Sequence, residues 1–169
     1  MRFLCDRMLH ELARWLRAAG HDAVIAPAEM GDGAVLESAV AEGRLLLTCD
    51  RALARAAGPG EALLLPDTTL DALATLLRER ASVDWLLAPF TRCLLDNTPL
   101  VPAEAGAWQR VPERSRGSPG PLERCPDCLR LYWQGGHVRR MEARLRRWSG
   151  VEAGERSAVA PYEEPGRGR

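Results

Sequence analysis

Through the first ninety residues, short apolar runs alternate with stretches whose apolar positions recur at helical spacing. Phe3-Leu4-Cys5 follows Arg2 and predicts a first strand at 2–5. Met8, Leu9, Leu12, Ala13, Trp15, Leu16 and Ala19 then form one stripe, predicting a helix over 8–19 closed by Gly20 as its C′ residue. Ala23-Val24-Ile25-Ala26 predicts a second strand, 27–31 a loop, and Val35, Leu36, Ala39 and Val40 the buried side of a helix over 34–42. Gly43 ends that helix, and Leu45-Leu46-Leu47 starts a strand apolar on both faces, as in a covered parallel sheet. A helical turn at 51–57 is broken by Gly58-Pro59-Gly60. Ala62-Leu63-Leu64-Leu65 predicts a fourth strand, and a helix capped by Thr68 or Thr69 buries Leu70, Leu73, Ala74, Leu76 and Leu77. Strands alternating with helices predict an α/β domain over 1–90 with a parallel sheet flanked by helices.

Near residue 90 the helical period stops. A turn-rich region follows, with a Ser/Gly/Pro loop over 113–121 and then a basic helix over 138–148 whose apolar side is Met141, Leu145 and Trp148. These features predict a zinc-ribbon-like module with the basic helix over 91–148. Residues 149–169 have almost no large apolar side chains and predict a disordered tail.

Charge divides along the same boundary. Residues 1–90 carry nine arginines against thirteen acids, residues 91–148 eleven against six, and the chain has no lysine. An acidic part followed by a basic one fits a catalytic half joined to a polyanion-binding half. No apolar run approaches the roughly 20 residues of a membrane span, and Asp6 and Arg7 interrupt any leader-like apolar start. A cytoplasmic protein is expected.

Candidate chemistry lies where strands end. The first and third strands both run into Cys-Asp-Arg-x-Leu, ending on Asp6 and Asp50. Open α/β sheets bind ligands at the carboxyl ends of their strands, so the two acids can share one pocket. Asp32 follows the second strand's loop at the same edge; it suits a helix N-cap and is also a candidate third carboxylate, with Glu37 a further acid on that helix. Gathered carboxylates repel unless a cation neutralises them, and Mg²⁺ or Mn²⁺ suits an all-oxygen ligand set. Arg7, His10, Arg14 and Arg17, spaced three and four apart, share a second face of the first helix that begins beside Asp6, and Arg51 follows Asp50; Arg7, Arg14, Arg17 and Arg51, with Arg139, Arg140 and Arg144 of the basic helix, are candidate phosphate contacts. A second constellation is Cys93-x-x-Asp96 with Cys125-x-x-Cys128, two knuckles spaced as in a zinc ribbon. Asp96 stands where a fourth cysteine would complete the set, and His137 is a rival fourth ligand. Cys5 and Cys49 read as small core residues.

Together, Phe-Leu-Cys-Asp-Arg-Met-Leu, Leu-Ala-Arg-Trp-Leu-Arg, Gly-Arg-Leu-Leu-Leu-Thr-Cys-Asp-Arg-Ala-Leu, Arg-Cys-x-x-x-Asn, Cys-x-x-Cys and Tyr-Trp-x-Gly-x-His resemble one family over about residues 2–148. This is the PIN-like ribonuclease domain with a C-terminal zinc ribbon, found at the C-terminus of Mut-seven-type exoribonucleases and as free-standing bacterial proteins. The resemblance implies a PIN-like fold, divalent-metal-dependent hydrolysis of RNA, Asp6, Asp32 and Asp50 as the matching acids, and Cys93, Cys125 and Cys128 as zinc ligands. Asp96 departs from the family's usual cysteine. The alternative is a non-catalytic RNA- or ribosome-associated module with a vestigial acidic pocket.

Overall fold

The computed structural model describes residues 1–151; the predicted tail falls almost wholly on residues outside that range, and its first position, Ser149, ends a helix. The elements are β1 (Arg2–Cys5), α1 (His10–Ala18), β2 (Asp22–Ile25), α2 (Asp32–Ala41), β3 (Leu45–Thr48), α3 (Arg51–Ala56), β4 (Ala62–Leu64) and α4 (Leu70–Ala81). They are followed by β5 (Val101–Pro102), β6 (Glu123–Arg124), β7 (Leu131–Tyr132) and α5 (Gly136–Ser149). Strands β1 to β4 form one parallel sheet in the order β2-β1-β3-β4. The chain leaves β1 toward one edge, then crosses back over it to reach β3, so the topological switch point lies between β1 and β3.

The period-two pleat of the central strands sorts the core into two layers. Phe3, Cys5 and Leu47 face α1, α4 and α5, while Leu4 and Leu46 face α2 and α3 through Val35, Ala39 and Leu53. This explains the run of leucines in β3: with both faces covered, the strand stays apolar up to Thr48, which is itself buried and has its hydroxyl satisfied by hydrogen bonds. Gly20 closes α1 with φ +97°, and its amide and that of His21 bond back to Arg17 and Leu16. A side chain there would also strike the Ala88 carbonyl, 2.4 Å from the Cβ position.

Two apolar assignments made from periodicity change, and so does one cap. Met8 lies in a 3-10 turn, Arg7–Leu9, ahead of α1, and the tighter winding turns it outward, 84% exposed. Val40 is 54% exposed at the end of α2. Asp32 is the first residue of α2 rather than its cap; Gly31 holds the cap position and no side chain bonds there. The expected cap of α4 is Thr69, whose hydroxyl accepts from Ala72 N at 3.3 Å.

The C-terminal module is an antiparallel sheet, β5-β6-β7, with a small apolar centre of Ala107, Val111 and Leu122. Helix α5, grouped with this module in the sequence, packs instead into the first layer. Trp148 meets Trp15 and Trp85 edge-on, with ring centroids 4.8 and 4.9 Å apart, and donates its indole N–H to Asp71. The module is also tied down by polar contacts. Arg17, 5% exposed, donates to the carbonyls of Ala23, Leu94 and Leu95. Asn97 accepts from Ala23 N and donates to Asp22, and Arg92 donates to Gly20 and Asn97 carbonyls.

Asp22 centres this junction. Burial alone would raise its carboxyl, but hydrogen bonds from Arg44, Asn97 and Arg2 outweigh that and hold it below the usual carboxylate range. A depressed folded-state pKa contributes stability that is complete above the unfolded value of about 3.9 and lost as pH falls through the folded value. In urea titrations Asp22→Asn should therefore be less stable than wild type by about 2 kcal/mol at neutral pH, with the gap closing below about pH 4. A gap independent of pH would contradict this assignment.

Candidate active site and metal centre

Two places in the fold gather groups suited to chemistry. The first is the carboxyl edge of the parallel sheet. The β1–β3 ladder runs one residue past the strands, where Asp6 N donates to the Leu47 carbonyl at 2.8 Å. The Asp6 side chain is thereby set beside the end of β3. Thr48 is fully buried there, and its hydroxyl donates to Asp6 Oδ2 at 2.8 Å while accepting from Asp50 N at 2.9 Å. One hydroxyl thus ties both strand-end acids together. Asp50 in turn caps α3, its Oδ1 accepting from Ala52 N at 2.6 Å and Leu53 N at 3.2 Å. The remaining oxygen of each carboxylate takes no hydrogen bond, and no cation pairs with either acid among the described residues.

Sequence reasoning missed Thr48, because a threonine ending an apolar run reads as ordinary strand. It also passed over Asp67, which follows β4 at the same edge. The Cys49 thiol is raised by burial first and then by the nearby charges of Asp6 and Asp67. Asp32 and Glu37 are exposed on α2. Asp6, Asp32 and Asp50 do not draw their donor atoms into one tight group: among the described residues, the group of potential ligands that comes together is the second place.

That place is Cys93, Asp96, Cys125 and Cys128, with ligand atoms all within 4.8 Å of one another. Cys93 Sγ lies 3.7 Å from Cys128 Sγ, and Asp96 Oδ2 lies 3.4 Å from both Cys93 and Cys125 sulfurs. A tetrahedral ion with bonds of about 2.3 Å to sulfur separates its ligand atoms by about 3.8 Å, so the spacing fits zinc. Backbone amides of Asp96 and Cys128 point at the Cys93 and Cys125 sulfurs, at 3.3 and 3.5 Å, as knuckle turns require to support thiolates. The cluster can hold a metal such as zinc. His137, the rival ligand, lies elsewhere: its Nε2 is 3.3 Å from Arg14 Nη2.

The expected phosphate contacts divide into two groups. Arg7, Arg14, Arg51, Arg139 and Arg140 are exposed, with Arg7 also donating to the Ala28 carbonyl. Arg17 is not available: its guanidinium is consumed by three carbonyls inside the domain junction. Helical spacing placed it on the Arg7–Arg14 face, but the C-terminal module covers that end of α1. Arg144 is tied to Asp71 and lies over the Trp15 and Trp148 rings at 5.1 and 4.9 Å.

The family model for the Mut7-C RNAse domain matches residues 1–145. The chain belongs to the Mut7-C RNAse domain family. Comparisons with curated proteins and with solved structures find no match. The Mut7-C match spans the parallel sheet, the cysteine cluster and most of α5, and it makes the chain a ribonuclease-type domain with RNA as substrate or partner. No helix among the described residues is long and apolar enough to cross a membrane.

The Mut7-C cluster geometry sets two expectations for metal content. Cys125→Ser should release zinc and remove hydrogen-exchange protection from 91–135, while β1–β4 and α5, which share the large core, stay protected. Asp96→Cys should tighten zinc binding by roughly tenfold or more, since thiolate is the softer match. Purified protein free of zinc after metal-sparing preparation would refute the assignment.

Proposed function

We propose that the chain is a PIN-like ribonuclease that hydrolyses RNA phosphodiester bonds using Mg²⁺ or Mn²⁺ held by Asp6 and Asp50, with Asp32 completing the site. The observation that carries this reading is the pair of acids flanking the switch point, joined through the Thr48 hydroxyl, each with one oxygen left unengaged. The donor set is all oxygen and uncompensated by any basic partner among the described residues, which suits a hard divalent cation. Such an ion, when bound, supplies an activated water and neutralises charge at the phosphate.

The protein's own groups do the rest. Thr48 fixes the Asp6 carboxylate, and the first turn of α3 fixes that of Asp50. Arg7 and Arg51 follow the two acids directly and are exposed, so they can orient the phosphate being cut. Arg14 continues this basic face along α1. Zinc in the cysteine cluster is structural in this reading, since its four ligands leave no open position. The thiolates such a site needs persist in a reducing compartment, which supports a cytoplasmic location. The parallel domain, 1–90, carries the catalysis and the ribbon, 91–135, is an appended binding module, with α5 bracing the former. One observation favours the competing, binding-only reading: the acids are less tightly gathered than the cysteine set.

Asn substitution separates the two. Asparagine caps helices as well as aspartate does and still accepts from a hydroxyl, so Asp50→Asn and Asp6→Asn should fold normally. Cleavage with Mn²⁺ should fall on the order of a hundredfold or more in each, with RNA affinity nearly unchanged. Thr48→Val should lose activity and about 1–3 kcal/mol of stability by orphaning the Asp50 amide. The proposal is falsified if folded, RNA-competent Asp50→Asn cleaves at the wild-type rate.

A further inference from the structure

A deep opening lies away from the acidic edge. It is a cavity of about 570 Å³ between β6–β7, the loop over 113–121 and the start of α5. A second groove of about 480 Å³ is lined by β7 together with Arg14 of α1, Leu95, Arg110 and Arg130. Leu94, Leu131, Tyr132 and Trp133 line both, so the Tyr132–Trp133 segment is a ridge with a groove on either side. Arg114 and Arg140 border the larger groove, and Arg14, Arg110 and Arg130 the smaller. All five are exposed. Of these, Arg110 pairs with Glu104, whereas Arg114, Arg130 and Arg140 pair with no carboxylate among the described residues.

The two aromatic rings differ in what they are free to do. The Tyr132 hydroxyl is committed to the metal cluster, 3.1 Å from Cys93 Sγ and accepting from Leu94 N. Trp133 is half-buried, packed against the small apolar centre of Ala107, Val111 and Leu122 while still lining both grooves. Its indole also lies close over Gly135, where any Cβ would come within 2.9 Å of Nε1. A glycine at 135 is therefore what lets the ring lie in place. Glu123, the one carboxylate lining the larger groove, disfavours a phosphate inside it and offers an acceptor to base N–H groups. Aromatic faces rimmed by cations are how proteins hold single-stranded nucleic acid, and the smaller groove opens onto Arg14, which is roughly 12 Å along α1 from the turn at Arg7.

We propose that the Tyr132–Trp133 ridge is a single-stranded RNA subsite, in which an unstacked base lies against Trp133 in the larger groove and flanking phosphates bind Arg114 and Arg140 on one side and Arg14 and Arg130 on the other. The smaller groove then leads the strand along α1 toward Asp6. This rests on the ribonuclease reading for the identity of the ligand as RNA, but binding at the ridge requires no cleavage. It also moves the binding surface from the outer side of α5, where Arg144 is already engaged, to the mouth between α5 and the ribbon.

The test is anisotropy of a short labelled oligouridylate with the full zinc-loaded chain, without added Mg²⁺ or Mn²⁺. Trp133→Ala should weaken binding roughly five- to hundredfold, with Trp133→Phe restoring most of it. Gly135→Ala, which displaces the indole without removing it, should weaken binding as well. Arg114→Ala with Arg140→Ala, at exposed positions that leave the ribbon folded, should lower affinity and reduce the salt slope by about one to one and a half. Duplex RNA should compete poorly. Equal affinity in the arginine pair and in zinc-loaded Trp133→Ala would overturn the proposal, as would duplex competing as well as single strand or an absence of RNA binding, which would leave the grooves to a protein partner. If wild type binds through the ridge yet never cleaves, the hydrolytic reading fails and the subsite stands.

Discussion

The pairing of β1 with β3 is the constraint on which the rest depends. Both strands are buried on two faces, Phe3, Leu46 and Leu47 completely, so sliding one past the other by a single residue would exchange every side chain between the layers. The register is therefore strongly specified, and with it the position of each residue that leaves the strands. Leu4 stands opposite Leu46 and Cys5 opposite Leu47, which brings Asp6 level with Thr48. The hydroxyl between the acids can then serve both, accepting from one backbone amide and donating to one carboxylate. A buried threonine hydroxyl left without partners would cost about 1–3 kcal/mol, so the geometry of the acidic edge and the satisfaction of the core are one problem with one solution.

The junction with the ribbon answers a second constraint. A module whose apolar centre is as small as Ala107, Val111 and Leu122 has little of its own to hold it. It relies on ligand clustering at Cys93, Asp96, Cys125 and Cys128 and on docking against the parallel domain. Arg17 fills the docking role because one guanidinium can satisfy several carbonyls of an irregular knuckle, and Asn97, at φ +70°, turns that knuckle back onto Asp22. The Arg-Cys-x-x-x-Asn stretch thus acquires a physical meaning: Arg92 and Asn97 lock the first knuckle to the end of α1 and the start of β2. Through this lock, the aromatic ridge keeps a fixed bearing on α1.

The elements of the parallel domain could be read from the chain because their signals are local: apolar runs of four, helical stripes, and glycines at helix ends. The cysteine knuckles could be read because ligand spacing is local too. What escaped were consequences of contacts between distant segments. Arg17 shares its helical face with Arg14, and nothing in the spacing shows that residues 94–95 lie over one and not the other. Trp148 looked like the apolar side of a ribbon helix until its partners, Trp15 and Trp85, were known. Thr48 needed the register of β1 against β3 to be seen as a link between two acids. Asp50 carries both a cap and a free oxygen, and the sequence pattern alone showed only its place at the strand end.

The most direct measurement is an anomalous difference map from crystals of the full chain soaked in Mn²⁺, collected at the manganese edge. The account predicts a peak at the carboxyl edge of the sheet, bonded to the free oxygens of Asp6 and Asp50, distinct from the zinc signal at the cysteine cluster. A map with manganese absent from that edge, in crystals whose Asp6, Thr48 and Asp50 are ordered and accessible, would contradict it.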